Sequence, residues 1–349
     1  LVYLMAIDPY LAWYNFLIAS GNLFMLFLVA SAYYFILFLK NEDKKNFIIF
    51  SLMVSLSAIT RTNGIFLSLV YSILLVFFYY IRRYDFEILK TISLRTIFKY
   101  LVFLNFTFLI FCGGAMIINK YDHDDYRMDA AFSSNVYYFN VPVLHSYVQK
   151  ISYSEAKRSL MNQATDDLGF DAGRLSCEIM GTENYNKMLD YASRRGKELI
   201  AEDIFVYTKI HLFKMIPFFL QSPHYRMYTS FTGDFGKPNM STLIMNGDLE
   251  ELKKFIKNIN TGLVVYLLSV LFWTFTSFTI FFNTVYAFFK DKKLFPFFFL
   301  IFILILYTAF TVSPFSMPRY KVPLYPFFIV SLLYFVKLVV VRLKYSFKK

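Results

Sequence analysis

Residues 47–81 read FIIFSLMVSLSAITRTNGIFLSLVYSILLVFFYYI. Two apolar runs, 47–59 and 65–81, flank one polar break, Thr60-Arg61-Thr62-Asn63-Gly64. A helix crosses the roughly 30 Å of membrane hydrocarbon with about 20 apolar residues, at about 1.5 Å per residue. Lipid offers no hydrogen-bond partner to a peptide group, so runs of this kind predict helices. The first run is short for a crossing, which predicts that its Arg61 end stops inside a protein-lined or watery recess.

Working outward, further apolar runs occupy 13–39, 100–118, 262–289, 294–312 and 322–341, giving about seven spans. The 349 residues are 57% hydrophobic, and 44 Phe with 28 Tyr exceed what a soluble core of this size could bury. The fold class expected is therefore an all-α polytopic membrane helix bundle, with a largely helical extracytoplasmic insertion. Three regions follow: 1–118 with four helices, the insertion at 119–260, and 261–349 with three helices and a basic tail. Two cysteines, Cys112 and Cys177, exclude a disulfide scaffold and a cysteine-built zinc site.

The net charge of +12 is unevenly placed. Alternating helices put four connections on one side: 40–46, 82–99, 290–293 and the tail from Lys337. Together they hold sixteen basic and five acidic residues, which makes that side cytoplasmic by the positive-inside rule. The 82–99 stretch reads as an amphipathic interfacial segment. The charge excess therefore belongs to membrane topology and gives no case for a nucleic-acid partner. Residues 119–261 are nearly neutral, with seventeen basic and eighteen acidic residues, as befits a long translocated segment.

Within that segment Ser152 and Glu155 form a capping-box pattern opening a helix through about Asn162, and 184–202 reads as a second helix. Residues 203–220 mix Phe205, Ile210 and Phe213 with Lys209, His211 and Lys214, and read as one amphipathic helix on the membrane surface. Residues 222–248 are rich in Pro, Gly, Ser and Thr and read as a loop.

Phosphate-cradling glycine loops, a nucleophile elbow and a His-Glu-x-x-His helix are all missing from the sequence. What remains is a polar set on the outer face. Arg61 with Asn63 interrupts an apolar hairpin, and its planar fork suits phosphate oxygens, although a snorkelling arginine would look the same. Residues 313–326, SPFSMPRYKVPLYP, place Arg319, Tyr320 and Lys321 among four prolines at the entry to the last span. Asp122-His123-Asp124-Asp125 has the chemistry for a divalent cation or a general base, and equally that of a solvated loop. Asp8, before the first span, is an isolated acid. No metal site and no cofactor is expected, with a divalent cation left open.

Three stretches carry a family resemblance. LSAITRTNGIFL is similar to an L-x-R-x-x-G turn, with Ile59 in the first position; SSNVYYFNVPVLHSYVQKISYSEAKRSL resembles an aromatic stretch before an s-x-E-A helix; MPRYKVPLYPFFIV resembles an RYrlPlyPfl helix entry. In this order they resemble the multi-pass GT-C glycosyltransferases, in particular bacterial relatives of the protein O-mannosyltransferase and aminoarabinose transferase group. The resemblance implies a hexosyltransferase that takes a sugar from a polyprenyl-phosphate donor at the extracytoplasmic face. It puts Arg61 and Arg319 near the lipid phosphate, with Tyr320, Lys321 and Asn63 in support. In that superfamily the main catalytic acid follows the first span, so the chain is expected to begin after that loop, leaving Asp8 and Asp124 as the candidates for the base. Relatives also often carry a Glu near the start of helix one, where Gly21-Asn22-Leu23-Phe24 stands here. The competing classes are a lipid or solute transporter or flippase, and a non-catalytic membrane scaffold; the sequence has no internal repeat of the kind many transporters show.

Overall fold

The computed structural model describes residues 20–346 except 85, 87, 90–91, 124, 129, 172–181, 221–249, 251–252, 255–260 and 314–317. Its helices are α1 (Gly21–Asn41), α2 (Lys44–Thr60), α3 (Leu67–Ile81), α4 (Leu94–His123), α5 (Ala130–Asn135), α6 (Val141–Gln149), α7 (Tyr153–Leu168), α8 (Glu183–Glu202), α9 (Ile204–Phe213), α10 (Ile216–Leu220), α11 (Thr261–Lys290), α12 (Phe295–Val312) and α13 (Tyr325–Ser346). Short 3-10 turns cover Thr62–Gly64, Arg82–Tyr84 and Pro318–Leu324, and a π-helical turn covers Val136–Asn140. No strand occurs among the described residues.

Six helical stretches are long and apolar enough to cross a membrane: Gly21–Asn41, Thr62–Tyr84, Leu94–Asp122, Val264–Lys290, Phe295–Val312 and Tyr320–Lys344. The protein is an all-α, multi-pass integral membrane helix bundle. The remaining expected span is α2, whose 17 residues reach only about 25 Å, as its short apolar run predicts. Positions 13–19 of the first expected span lie outside the described residues.

The chain divides into two compact units. A membrane unit comprises Leu1–Phe108, Ile216–Val312 and Ser316–Lys349; a second unit comprises Leu109–Met215 with Ser313–Phe315.

In the membrane unit the abundant aromatics are packing material. Phe35, Phe50 and Phe78 are buried around Tyr71, with Phe35–Phe50 and Phe50–Tyr71 ring centroids 5.0 and 4.8 Å apart. The Tyr71 hydroxyl, which hydrocarbon could not satisfy, meets Ser31 Oγ at 2.9 Å. Between α11 and α13, Asn283 Nδ2 donates to the carbonyl (2.7 Å) and hydroxyl (2.8 Å) oxygens of Ser331. Such polar pairs fasten helices where the surrounding solvent is as apolar as the side chains.

The four basic connections gather at one end of this unit. Leu89 N–H donates to Leu39 O at the end of α1, Lys292 Nζ donates to Tyr84 O, and Arg342 lies over the Tyr286 ring. In the segment expected to be amphipathic and interfacial, 82–99, a 3-10 turn covers Arg82–Tyr84 and α4 begins at Leu94. Phe86, Ile88, Leu89 and Ile92 turn inward and are buried, and the Arg82 guanidinium donates to the carbonyls of Leu89 and Ile92. An arginine that caps exposed carbonyls replaces the internal hydrogen bonds a helix would have made.

The second unit packs Tyr137, Tyr138 and Val141 against Leu160 and Ala164 of α7 and Met188, Leu189 and Ala192 of α8. Helix α7 opens with the expected capping box, Ser152 Oγ accepting from Glu155 N–H and Glu155 Oε2 accepting from Ser152 N–H, but runs on to Leu168. It stops at Gly169, whose φ of 74° is left-handed. The single helix expected at 203–220 is two helices, α9 and α10, separated at Lys214–Met215.

The Glu155 carboxyl is held below the usual carboxylate range by the backbone N–H and hydroxyl of Ser152. A depressed folded-state value contributes stability above the unfolded value of about 4.3, lost as pH falls through the folded one. Thermal melts of the protein between pH 6 and 3 are therefore expected to show an acid-dependent loss that Glu155→Gln, which keeps the bond but cannot titrate, reduces. An unchanged acid profile in the variant would show that the cap contributes no pH dependence.

Candidate functional site

At the end of the membrane unit away from the basic connections, α2 stops at Thr60 and the chain turns through Arg61 to Phe66 into α3. The turn is closed by its own backbone. Arg61 N–H donates to Ser57 O (3.2 Å), Gly64 N–H to Arg61 O (2.8 Å) and Ile65 N–H to Thr62 O (3.1 Å). The carbonyl of Asn63 accepts a hydrogen bond from the Tyr307 hydroxyl of α12. Gly64 is buried against the end of α2; a Cβ there would lie 2.6 Å from Ser57 O and 2.7 Å from Ala58 Cα. Only glycine lets the two strands of this hairpin come so close.

Arg61 is the first candidate side chain of this turn. It is half-buried, with its guanidinium carbon 5.5 Å from the centroid of the Tyr320 ring. Its Nη1 is buried and has no hydrogen-bond partner among the described residues. A buried guanidinium donor left unmatched is costly, and an anionic oxygen is the partner its fork fits best.

Tyr320 and Lys321 belong to the 3-10 turn Pro318–Leu324, where Pro323, which lacks an N–H, keeps the chain from an α-helical start. Three residues per turn set consecutive side chains about 120° apart, so the two neighbours face different surroundings. Tyr320 faces Arg61. Lys321 is 0% exposed; its ammonium donates to Phe219 O at 3.2 Å and lies 4.7 Å from the Trp273 ring centroid and 5.8 Å from that of Phe218. Trp273 itself packs on Tyr325 and Phe328 at the head of α13. The Lys321 Nζ thus lies beside a carbonyl dipole and two aromatic faces.

Of the residues expected at the site, Arg61, Asn63 and Tyr320 come together around one turn, and Lys321 lies in the adjoining aromatic pocket. The backbone of Arg319 is in the 3-10 turn, and its side chain lies outside the described residues. Asp8 and Asp124 lie outside them as well. In the acidic stretch at the end of α4, Asp122 of the helix's last turn is exposed, while Asp125 beyond it takes Arg127 Nε at 2.8 Å and 3.0 Å on its two oxygens. Asp125 therefore serves an ion pair that fixes its own loop. No three His, Cys, Asp or Glu side chains gather as metal ligands among the described residues.

Tyr307, Trp273 and Phe218 are the participants that sequence reading missed. Tyr307 is the sole tyrosine in the Phe/Leu/Ile run 295–312, and Trp273 is one of two tryptophans in the chain. A lone polar-tipped ring in an apolar span is the signal that could have found Tyr307, because its hydroxyl must reach a partner; Phe218 carries no such mark.

No family model, curated protein or solved structure matches the chain.

Two substitutions separate the supports of the Arg61 turn. Tyr307→Phe removes the bond to Asn63 O and is expected to cost about 1 kcal/mol, whereas Gly64→Ala forces the hairpin apart and costs about 1–3 kcal/mol. Thermal unfolding in detergent checks both, and a Gly64→Ala protein as stable as the parent would mean that the close approach does not hold the turn.

Proposed function

We propose that this membrane protein is a glycosyltransferase that moves a sugar from a polyprenyl-phosphate-linked donor to an acceptor at the extracytoplasmic face. The observation that carries the reading is the buried Nη1 of Arg61, unmatched among the described residues, in a hydrogen-bonded turn between two apolar helices. A fixed cation in a partly dry recess is suited to a lipid phosphate, whose acyl or prenyl tail would occupy the hydrocarbon beside it. The order of the three resembling stretches along the chain supports the same reading.

In this reading the donor phosphate is the leaving group, and Arg61 stabilises the negative charge that grows on it as the glycosidic bond breaks. Tyr320 holds the guanidinium from one side, and Lys321 lies in the adjoining aromatic pocket. A carboxylate takes the proton of the acceptor hydroxyl. The basic end of the bundle is cytoplasmic, and residues 119–260 lie outside.

Sugar transfer from a polyprenyl-phosphate donor is the direct assay. Arg61→Ala is expected to lower turnover by about 10²–10³-fold, the usual effect of removing one preorganised charge-stabilising donor, while Arg61→Lys restores part of it. Transfer at the parental rate by Arg61→Ala would remove the site assignment. Sidedness is checked separately with single cysteines in a cysteine-free background. A membrane-impermeant thiol reagent is expected to label Glu198→Cys in intact cells and Lys45→Cys only after permeabilisation; the reverse pattern would invert the topology and move the reaction to the cytoplasm.

A further inference from the structure

Helix α9 shows an exposed face with helical periodicity. Ile204, Phe205, Thr208, Lys209, Leu212 and Phe213 are exposed, and Tyr207, Ile210 and His211 on the other side are half-buried or buried. Phe205 is 89% exposed, and Leu212 and Phe213 are each more than half exposed. A helix whose apolar side chains were merely loose could roll over and cover them. This one is held from rolling. On its inner side Tyr207 OH meets His211 Nδ1 at 3.2 Å and accepts from Asn140 Nδ2 at 3.4 Å, and the carbonyl of His211 accepts from Ser313 Oγ at 2.5 Å. The hydrogen bonds that fix the inner face also fix four large apolar side chains outward.

We infer that α9 is an interfacial helix, lying in the plane of the bilayer with Ile204, Phe205, Leu212 and Phe213 inserted among the acyl chains and Lys209 reaching to the lipid phosphates. Three observations choose lipid over water or another protein. First, ten residues make a helix of about 15 Å, half of what a crossing needs, so the apolar face must lie along the hydrocarbon rather than through it. Second, the exposed face carries a lysine among its apolar residues, with no acid in the helix, which matches a headgroup layer and a snorkelling ammonium. Third, the helix is leashed by covalent chain to membrane segments. Met215 is followed directly by Ile216 of the membrane unit, and Ser313, which binds the His211 carbonyl, directly follows Val312, the last residue of a membrane helix. The inference does not depend on the transferase reading; an interfacial helix serves any function of this unit.

The test uses the whole protein in phospholipid vesicles, with Cys112 and Cys177 replaced and a nitroxide spin label on Phe205→Cys, Leu212→Cys or Glu198→Cys. The first two positions are expected to collide with oxygen in preference to a water-soluble nickel complex, at a depth of about 5–10 Å below the phosphates. Glu198, exposed on α8, is expected to show the opposite preference. If the nickel complex reached positions 205 and 212 as readily as 198, the face would be in water and the inference would fail. If both reagents were shut out, the face would be covered by protein, and it would fail in favour of a partner or a second copy.

Discussion

A peptide group inside hydrocarbon has no solvent to bond with, and the architecture of this protein follows from that single constraint. It turns every long apolar run into a helix. It also limits where the chain can change direction within or near the membrane, because each turn frees carbonyls and N–H groups that protein must satisfy. The Arg61 turn meets the demand with three backbone bonds of its own and the Tyr307 hydroxyl on Asn63 O. The 82–92 stretch meets it differently, with the Arg82 guanidinium on the carbonyls of Leu89 and Ile92. Two arginines at opposite ends of the same bundle thus have different tasks. Arg82 spends its donors on backbone, whereas Arg61 keeps Nη1 unmatched within the described residues.

The remaining packing follows from what apolar solvent cannot provide. Aromatic rings in the α1–α3 cluster interlock at centroid distances near 5 Å, and isolated hydroxyls and amides pair across helices, as in Ser31 with Tyr71 and Asn283 with Ser331. Helix α12 is the most enclosed of the crossing helices, with 56% of its apolar window buried against 17% for Leu94–Asp122. Its Tyr307 is therefore well placed to brace a turn on another helix, and the residue at the end of α12, Val312, leads directly into the segment that ties down α9.

Much of this was legible in the linear chain because the membrane writes a coarse signal. Apolar run length identified the crossings, and the deficit in 47–59 foretold the short α2. Ser152 and Glu155 marked the start of α7 because a cap is a local, four-residue interaction. What escaped was what depends on partners distant in sequence. The 82–99 stretch has the composition of an interfacial segment, yet Phe86, Ile88, Leu89 and Ile92 are buried, with Leu89 bonded to the end of α1 and Arg82 bonded to the carbonyls of Leu89 and Ile92. The 203–220 stretch reads as a continuous helix, yet it breaks at Lys214. At the site, residue types named Arg61, Tyr320 and Lys321, but only three-dimensional packing separates the stacking role of Tyr320 from the enclosed position of Lys321.

The bond from Tyr307 to Asn63 spans 244 residues of chain. Since synthesis proceeds from the N-terminus at about 5–20 residues per second, the Arg61 hairpin exists for about 10–50 s before its brace has been made. The contact of Lys321 with Phe219, 102 residues apart, closes later still. The hairpin is therefore completed only after α12 and the turn that carries Lys321 have been made, and the Arg61 guanidinium at its tip is held in its final surroundings only from that point.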